Sequence, residues 1–434
     1  MTKAAALGGR SPVDGRLAAI GRQIGRVATN RFLVAVFGTT AVAGAHAVLQ
    51  FAVLRAMPQP VFGLFAFMLG LTQFGFGLSN ALVGTPYTLD VSAGRPSSGS
   101  LYGKVNLVLS GLSGVVAAAI AGQLGGDSLL FGCFATLALL RWFGRSHLYA
   151  LHRPGLVAVS DTIYALVLLV GAGLILGIGL PDNAAVGVLC CAAFAGLAAL
   201  GRPFLTMQFI QAWHGSPRGY GMVWRDQARW TLVGVVSSEA TANAHAYTVS
   251  LLAGPAAFAP IAAASLLIKP IMLVITSLTQ LERPIMARSL LAGREAEALR
   301  STKMFRIVVL GTWFATTALA SIVLFRFPEI LVKPLYDLRT LEVAFALWSG
   351  IALLQCWSTP PSVLLQAAQQ LKPLALTQTR AAVAALAAVL GLAFVLPPVF
   401  TLCGILAGQL IMAGRISHLA KNWRLRPRQV SATC

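Results

Sequence analysis

The sequence is short of acidic residues. Its 434 residues include 13 Asp and Glu against 33 Lys and Arg. Charged residues make up 11% of the chain, where about 25% is usual in a soluble domain. With 57% hydrophobic residues and a mean hydropathy of +0.77, this excludes both a soluble globular protein and a disordered one. The apolar residues run from end to end, which excludes a single span carrying a large ectodomain. Cysteine is scarce: the six, at 133, 190, 191, 356, 403 and 434, have no CxxC or Cys/His ligand spacing. Neither a disulfide framework nor a zinc site is expected. GxxxxGK[ST], HExxH and GxSxG are all absent, so no ATPase motif, metal site or other cofactor is expected in this chain. The basic excess, net +20, does not point to nucleic acid. The cations sit at the edges of apolar runs, which is where membrane orientation signals sit.

A bilayer-crossing helix needs about 20 mostly apolar residues. The sequence offers twelve such stretches: 32–54, 61–83, 105–124, 128–150, 156–179, 184–200, 230–253, 256–281, 304–325, 341–366, 374–396 and 399–420. Continuous runs such as Ala381 to Leu396 lack the alternation of a barrel strand. Alternate loops hold the cations. With a cytoplasmic amino terminus, the inward tails and loops carry 28 Lys and Arg and the outward loops carry four, Arg55, Arg326, Lys333 and Arg339. Lys269 lies inside a span. This bias predicts both termini in the cytoplasm. Ala41-Val42-Ala43 and Ala45-His46-Ala47 look like cleavage sites, but the preceding tail and the apolar run are longer than a signal peptide uses, and a retained span is expected. The tail, 1–31, places Arg16, Arg22 and Arg26 beside Leu17, Ile20 and Ile24. It reads either as a basic amphipathic segment on anionic membrane lipids or as a plain topology signal.

The chain echoes itself. Ala45-His46-Ala47 in the first span recurs as Ala244-His245-Ala246 in the seventh, and Thr39 matches Ser238 at the same offset. Pro86 after the second span matches Pro284 after the eighth. Six spans separate the copies, so the copies are parallel repeats about an axis along the membrane normal. The expected fold is therefore an all-α polytopic membrane protein of about twelve helices, in two six-helix parallel repeats around a central cavity. The halves are 32–207 and 230–420, joined by a polar cytoplasmic linker at 208–229, with basic cytoplasmic tails at 1–31 and 421–434.

Two stretches carry a family likeness. Arg229-Trp230 opens a polar-dotted helix, followed by Gly254-Pro255, Lys269-Pro270, Pro284-Ile285-Met286-Ala287, and a basic segment with Gly293 and Leu299. The first span ends in Arg55-Ala56-Met57-Pro58 and continues into Phe62-Gly63-Leu64-Phe65-Ala66. This resembles the Wzx-type polysaccharide flippases of the multidrug/oligosaccharidyl-lipid/polysaccharide exporter superfamily. The resemblance implies transfer of undecaprenyl-pyrophosphate-linked oligosaccharide across a bacterial inner membrane, for exopolysaccharide or lipopolysaccharide. It also implies a positively charged central cavity, with a polysaccharide polymerase and a chain-length regulator as candidate partners. Lipid II flippases of the same superfamily usually have fourteen spans.

Ionisable groups at membrane depth are costly and usually face a cavity. In the seventh span, Glu239, Asn243, Tyr247 and Ser250 share one face, and Ser238, Thr241, His245 and Thr248 share the opposite one. The Glu239 face is expected to line the cavity. Packing of both faces on neighbouring helices is the alternative. Lys269 shares a face with Thr276 and Gln280. It lies roughly 20 Å from the cytoplasmic end, and Glu239 roughly 15 Å, so the two are expected to meet, as a substrate site or as a static ion pair. Arg141 and Arg145 are one turn apart in the fourth span, Asp161 lies in the fifth and Arg380 in the eleventh. These arginines either snorkel to the interface or form a cationic vestibule whose guanidinium forks match pyrophosphate. Thr39, His46 and Gln50 share a face of the first span. His46, Asp161, Glu239 and His245 are the candidates for ion coupling. Gly173/Gly177 and Gly404/Gly408 have the spacing of close helix contacts. Phe62, Phe65, Phe67, Phe74 and Phe76 are expected on an outer face that holds the lipid tail. One rival function is an ion-coupled multidrug antiporter of the same superfamily, which would want an acidic cavity. The other is a membrane polysaccharide polymerase or ligase, which would want a large outward loop.

Overall fold

The computed structural model describes residues 38–92, 98–178, 180–216, 218–331 and 337–425. The amino-terminal tail and most of the carboxy-terminal one lie outside the described residues. Twelve long helices correspond one for one to the expected spans. In the first half they are α1 (38–56), α2 (Gln59–Ser79), α3 (Ser98–Gln123), α4 (Ser128–Ala150), α5 (Pro154–Ile178) and α6 (Ala184–Ala198). In the second they are α7 (Arg229–Leu252), α8 (Pro255–Leu291), α9 (Glu295–Arg326), α10 (Leu338–Ala367), α11 (Leu371–Val395) and α12 (Thr401–Leu425). Among the described residues no strand occurs. Among the described residues eight helices are long and apolar enough to cross a membrane, and α6 passes the same test only together with the segment Arg202–His214, from which it is bent by 101°. The helices α1, α4 and α7 are diluted by the Thr, His, Arg and Glu residues that form the site below.

Local signals set the boundaries. Asp127 caps α4 by accepting from the Leu130 N–H at 3.0 Å, and Asp337 caps α10 by accepting from Arg339 N–H and Thr340 N–H, which satisfies donors that a helix start leaves free. Pro154 and Pro255 start their helices, where a missing N–H costs nothing. Several helices outrun the hydrocarbon. The α8 helix continues to Leu291 and α9 begins at Glu295, well beyond the apolar runs, because the polar ends still form good helix and pair across the turn (Ser289 Oγ to Glu297, 3.3 Å).

The two halves repeat the same packing. In the first, α3 lies on α4, α4 on α6, α5 on α6 and α2 on α4; in the second, α9 lies on α10, α10 on α12, α11 on α12 and α8 on α10. Small residues permit the closest approaches. A Cβ on Gly408 would sit 2.7 Å from Ala385 Cβ, and one on Gly404 2.6 Å from Val389 N. Gly173 and Gly177, of the same spacing, have nothing within 4 Å, so that pair is not a packing motif. On α5 the contact residue is Gly171, against Val188.

The polar segment 208–229 is not a slack hinge. It is largely helical and is pinned to the first half: Lys104 Nζ donates to Gly215 O at 2.7 Å, Gln208 Nε2 to Gly103 O at 3.0 Å, and the Tyr220 hydroxyl to Leu82 O at 2.6 Å. The halves meet through α2, which packs on α8 and α7. At the end opposite the basic loops the approach is intimate. Gln59 Nε2 donates to Ala256 O at 2.9 Å, and a Cβ on Gly63 would lie 1.9 Å from Pro255 O. The expected outer aromatic face is a correction. Phe62, Phe65 and Phe67 are buried. Phe67 points its edge at Tyr247 and Phe258, Phe74 meets Tyr247, and Phe76 stacks on Trp142 at 4.5 Å. Helix α2 is the seam between the halves, and Phe67 and Phe74 meet rings of the second half there.

Candidate functional site

Two joined chambers of about 350 Å³ each lie between the halves, and Leu69, Gln73, Lys269 and Met272 line both. The first is nearer the basic end. It is walled by α1, α2, α4, α5 and α8, and it displays Arg141, Arg145, Tyr164 and His46. Arg141 and Arg145 point inward and are buried, so they do not snorkel. Asp161, fully buried, divides its carboxylate between them: Arg141 Nη2 donates to Oδ1 at 2.5 Å and Arg145 Nη2 to Oδ2 at 3.0 Å.

The surroundings fix these arginines. Arg141 Nε donates to Ser160 Oγ at 3.2 Å, and that hydroxyl donates to Gly196 O at 2.6 Å. The Arg141 guanidinium lies 4.1 Å above the Tyr164 ring. Arg145 packs on Trp142 and donates to Thr39 Oγ1 at 3.2 Å. Two glycines leave the room. A Cβ on Gly196 would sit 2.6 Å from Arg141 Nε, and one on Gly38 3.0 Å from Asp161 Oδ2. Arg145 Nε remains buried without a partner.

The polar face expected on α1 is the one that meets this network. Thr39 holds Arg145, His46 Nε2 shares a 2.9 Å hydrogen bond with the Tyr164 hydroxyl, and Gln50 Oε1 accepts from Lys269 Nζ. Lys269 therefore joins α8 to α1. Its expected meeting with Glu239 does not occur: Glu239 accepts from Asn243 Nδ2 at 3.0 Å and from the Tyr247 hydroxyl. All three lie on α7, at i, i+4 and i+8, and pairing along one face of the helix occupies the carboxylate. Thr276 lines the first chamber beside Lys269.

The second chamber lies toward the closed end. It is walled by α1, α2, α7, α8, α10 and α12, with Gln50, Asn243, His245, Tyr247, Phe258, Trp348 and Gln355 among its lining. Residues from both polar faces of α7 reach it, so the expected division between a cavity face and a packing face is only partly kept. His245 stacks edge-on against Trp348 at 5.2 Å, and its Nδ1 is buried without a partner. Arg380 reaches neither chamber. It is exposed at the basic ends of α11 and α12, in a surface cleft with Arg415 and His418. For this arginine the snorkelling alternative describes the placement.

The first chamber presents three cations and no lining carboxylate. Asp161 stands behind the arginines and offsets one charge, so a net positive potential faces the space in a low-dielectric surround, where charge counts for more. Among the described residues no group of His, Cys, Asp and Glu could hold a metal ion. Sequence reasoning missed Tyr164, Trp142, Trp348 and Gln355. A signal existed for the Arg/Asp cluster: α4 and α5 form a hairpin about 151–153, and measured from that loop Asp161 lies between Arg145 and Arg141 in distance.

No family model matches the sequence, and no curated protein matches it. Solved structures do. An inward-facing multidrug resistance MATE family transporter of the MOP superfamily superposes with a TM-score of 0.58 at 14% identity, over 88% of this chain and 95% of that one. The lipid II flippase MurJ in an inward closed conformation gives 0.65 at 10% identity, over 91% and 87%. A MOP superfamily transporter from Pyrococcus furiosus, whose binding pocket is described as reversed in polarity, gives 0.54 at 12% identity, over 90% and 94%. At these identities the likeness is one of fold, and this chain is built on the fold shared by these MOP-superfamily transporters.

Proposed function

We propose that the chain is a flippase that moves an anionic, lipid-linked oligosaccharide by alternating access across a bacterial inner membrane, with both termini in the cytoplasm. A glycan head bearing a pyrophosphate cannot cross hydrocarbon unaided, because its polar groups would lose their water partners. It needs a polar space between two lobes and cations to receive the phosphates. The observation that carries this reading is the first chamber, where Arg141, Arg145 and Lys269 converge with one counter-charge, Asp161. Guanidinium forks match phosphate oxygens, and a buried fork already oriented by Ser160 and Tyr164 loses little freedom on binding. The cation bias of the loops supports a cytoplasmic position for this chamber, where lipid-linked precursors are made, with the Gly63–Pro255 contact closing the outward side in this reading. The multidrug antiporter reading is weaker, since a cationic drug would meet three like charges.

Export of surface glycan in a deletion strain carrying plasmid variants tests this. Lys269→Ala and Arg141→Ala are expected to abolish export and leave lipid-linked oligosaccharide in the inner leaflet, Lys269→Arg to retain part, and Arg380→Ala to transport normally. A deletion strain with normal surface glycan, no redundant flippase and heightened sensitivity to cationic drugs would overturn the proposal in favour of the antiporter.

A further inference from the structure

The two chambers differ in chemistry, and they are stacked along the helices that line both. On α8 the first chamber takes Lys269 to Thr276, toward the basic end, and the second takes Phe258 to Met272, toward the closed end. On α2 the order is the same: Leu69 to Phe76 for the first, Ala66 to Gln73 for the second. Charge is concentrated in the first. The second has Lys269 at its mouth and otherwise only neutral groups. Aromatic rings come from four helices, Phe67, Tyr247, Phe258 and Trp348, and amides from Gln73, Asn243 and Gln355. Aromatic faces beside amide donors and acceptors suit a ring with an apolar face and hydroxyls at its rim. Two polar atoms there lack any partner: Gln355 Oε1, and Nδ1 of His245, which is 2% exposed. A buried polar atom without a partner is costly, and a ligand hydroxyl would relieve both.

We infer that the second chamber is the sugar subsite, so that the headgroup enters sugar-first, with the glycan ring next to the pyrophosphate held among Trp348, His245 and Gln355 while the pyrophosphate stays between Arg141, Arg145 and Lys269. This rests on the flippase reading and adds an orientation to it. The order of the chambers from the basic end, cationic then aromatic, is the order pyrophosphate then sugar in a lipid-linked glycan. Just beyond Phe258 the Gly63–Pro255 and Gln59–Ala256 contacts close the path, so the sugar rests against the seam that must part to release it. Lys269, lining both chambers, sits where the glycosidic oxygen joins the two groups.

The test is equilibrium binding to the full-length protein in nanodiscs, with farnesyl pyrophosphate and with farnesyl pyrophosphate bearing N-acetylglucosamine. The wild type is expected to bind the sugar-bearing probe about tenfold more tightly, the worth of one or two net hydrogen bonds and a stacking contact. Gln355→Leu and Trp348→Ala should erase that increment and leave farnesyl pyrophosphate affinity unchanged. Trp348 Nε1 also donates to Ile261 O at 3.1 Å, so Trp348→Ala risks the fold. Gln355→Leu removes an oxygen with no partner and keeps the test sound if the tryptophan variant does not fold. Arg141→Ala should weaken both probes alike. Equal wild-type affinities for the two probes, or equal losses for both in Gln355→Leu, would overturn the sugar subsite while the anion site stands. Failure of the wild type to bind either probe would overturn the flippase reading itself, and this inference with it.

Discussion

Gly63 tests whether the contact at the closed end is a gate. In the present state a Cβ at that position would lie 1.9 Å from Pro255 O and 2.7 Å from Pro255 C. Both atoms are backbone, so no side chain can swing aside. A tolerable separation of about 3.0 Å demands that α2 and α8 part by roughly 1 Å, at a seam where packed surfaces do not deform smoothly. Forcing an extra methyl into such a contact costs about 1–3 kcal/mol. Applied to one of two alternating states, that shifts their ratio by about 5–150-fold. Gly63→Ala is thus expected to populate the state open at the far end. The readout is a thiol probe: Ser265→Cys, lining the second chamber, reacted from outside with a membrane-impermeant maleimide in a background freed of native cysteines. Labelling should accelerate at least about fivefold in Gly63→Ala. Gly111→Ala, where a Cβ meets nothing within 4 Å, should leave it unchanged. Unaltered labelling in Gly63→Ala, at normal expression and thermal stability, would refute the idea that this contact holds the exit shut.

Other expectations are simpler to check. In the cysteine-free background, Asp182→Cys and Asp337→Cys, both exposed, should label from outside intact cells and Ser216→Cys should not; labelling at 216 would invert the orientation. Since Glu239 pairs within its own helix and Lys269 pairs with Gln50, a cycle of Glu239→Gln and Lys269→Ala in a stability assay should show coupling below about 0.5 kcal/mol, and a larger value would restore the direct pair. Gly408→Ala, whose Cβ would crowd Ala385 Cβ and Ala381 O, should lower the melting temperature in detergent. Gly173→Ala, in open space, should not, although the sequence spacing of the two glycine pairs is identical.

Twelve helices were legible because each must hide its backbone from lipid, and a run of about 20 apolar residues is a coarse signal that tolerates local error. The fourth stretch, 128–150, has the bounds of α4 despite its two arginines. The parallel repeat was legible from one tripeptide and one proline because the same positions recur at the seam: His46 and His245 both line chambers between the halves. Face assignments within a helix were legible where they follow from spacing alone, as for Thr39, His46 and Gln50. Partners across helices were not. Whether Lys269 meets Glu239 or Gln50 depends on the rotation and tilt of α7 and α8, and α8 carries Pro260, Pro270 and Pro284 within it, each removing a backbone donor and favouring a bend. The fate of the arginines was ambiguous for a related reason. Arg141 and Arg380 lie at comparable depth, and only Arg141 has an acid, a hydroxyl and a tyrosine ring waiting on the adjacent helix.

That difference bears on why a membrane protein keeps such a cluster. Two guanidiniums held in a dry interior are expensive, and an attractive carboxylate between them recovers the cost only when the geometry is good and the remaining donors are satisfied. Here satisfaction is incomplete: one carboxylate serves two cations, Arg145 Nε has no partner, and Lys269 is met by a neutral amide. A purely structural cluster would be cheaper with a second acid, or with none of the charges, since well-packed apolar residues often replace a buried ion pair without loss of stability. Asp161 accounts for why the arginines are aimed, not for why there are two of them. The unspent positive charge faces a chamber, on the side where the loops carry their cations. A dianionic group of the kind proposed above would complete the site as Asp161 does not.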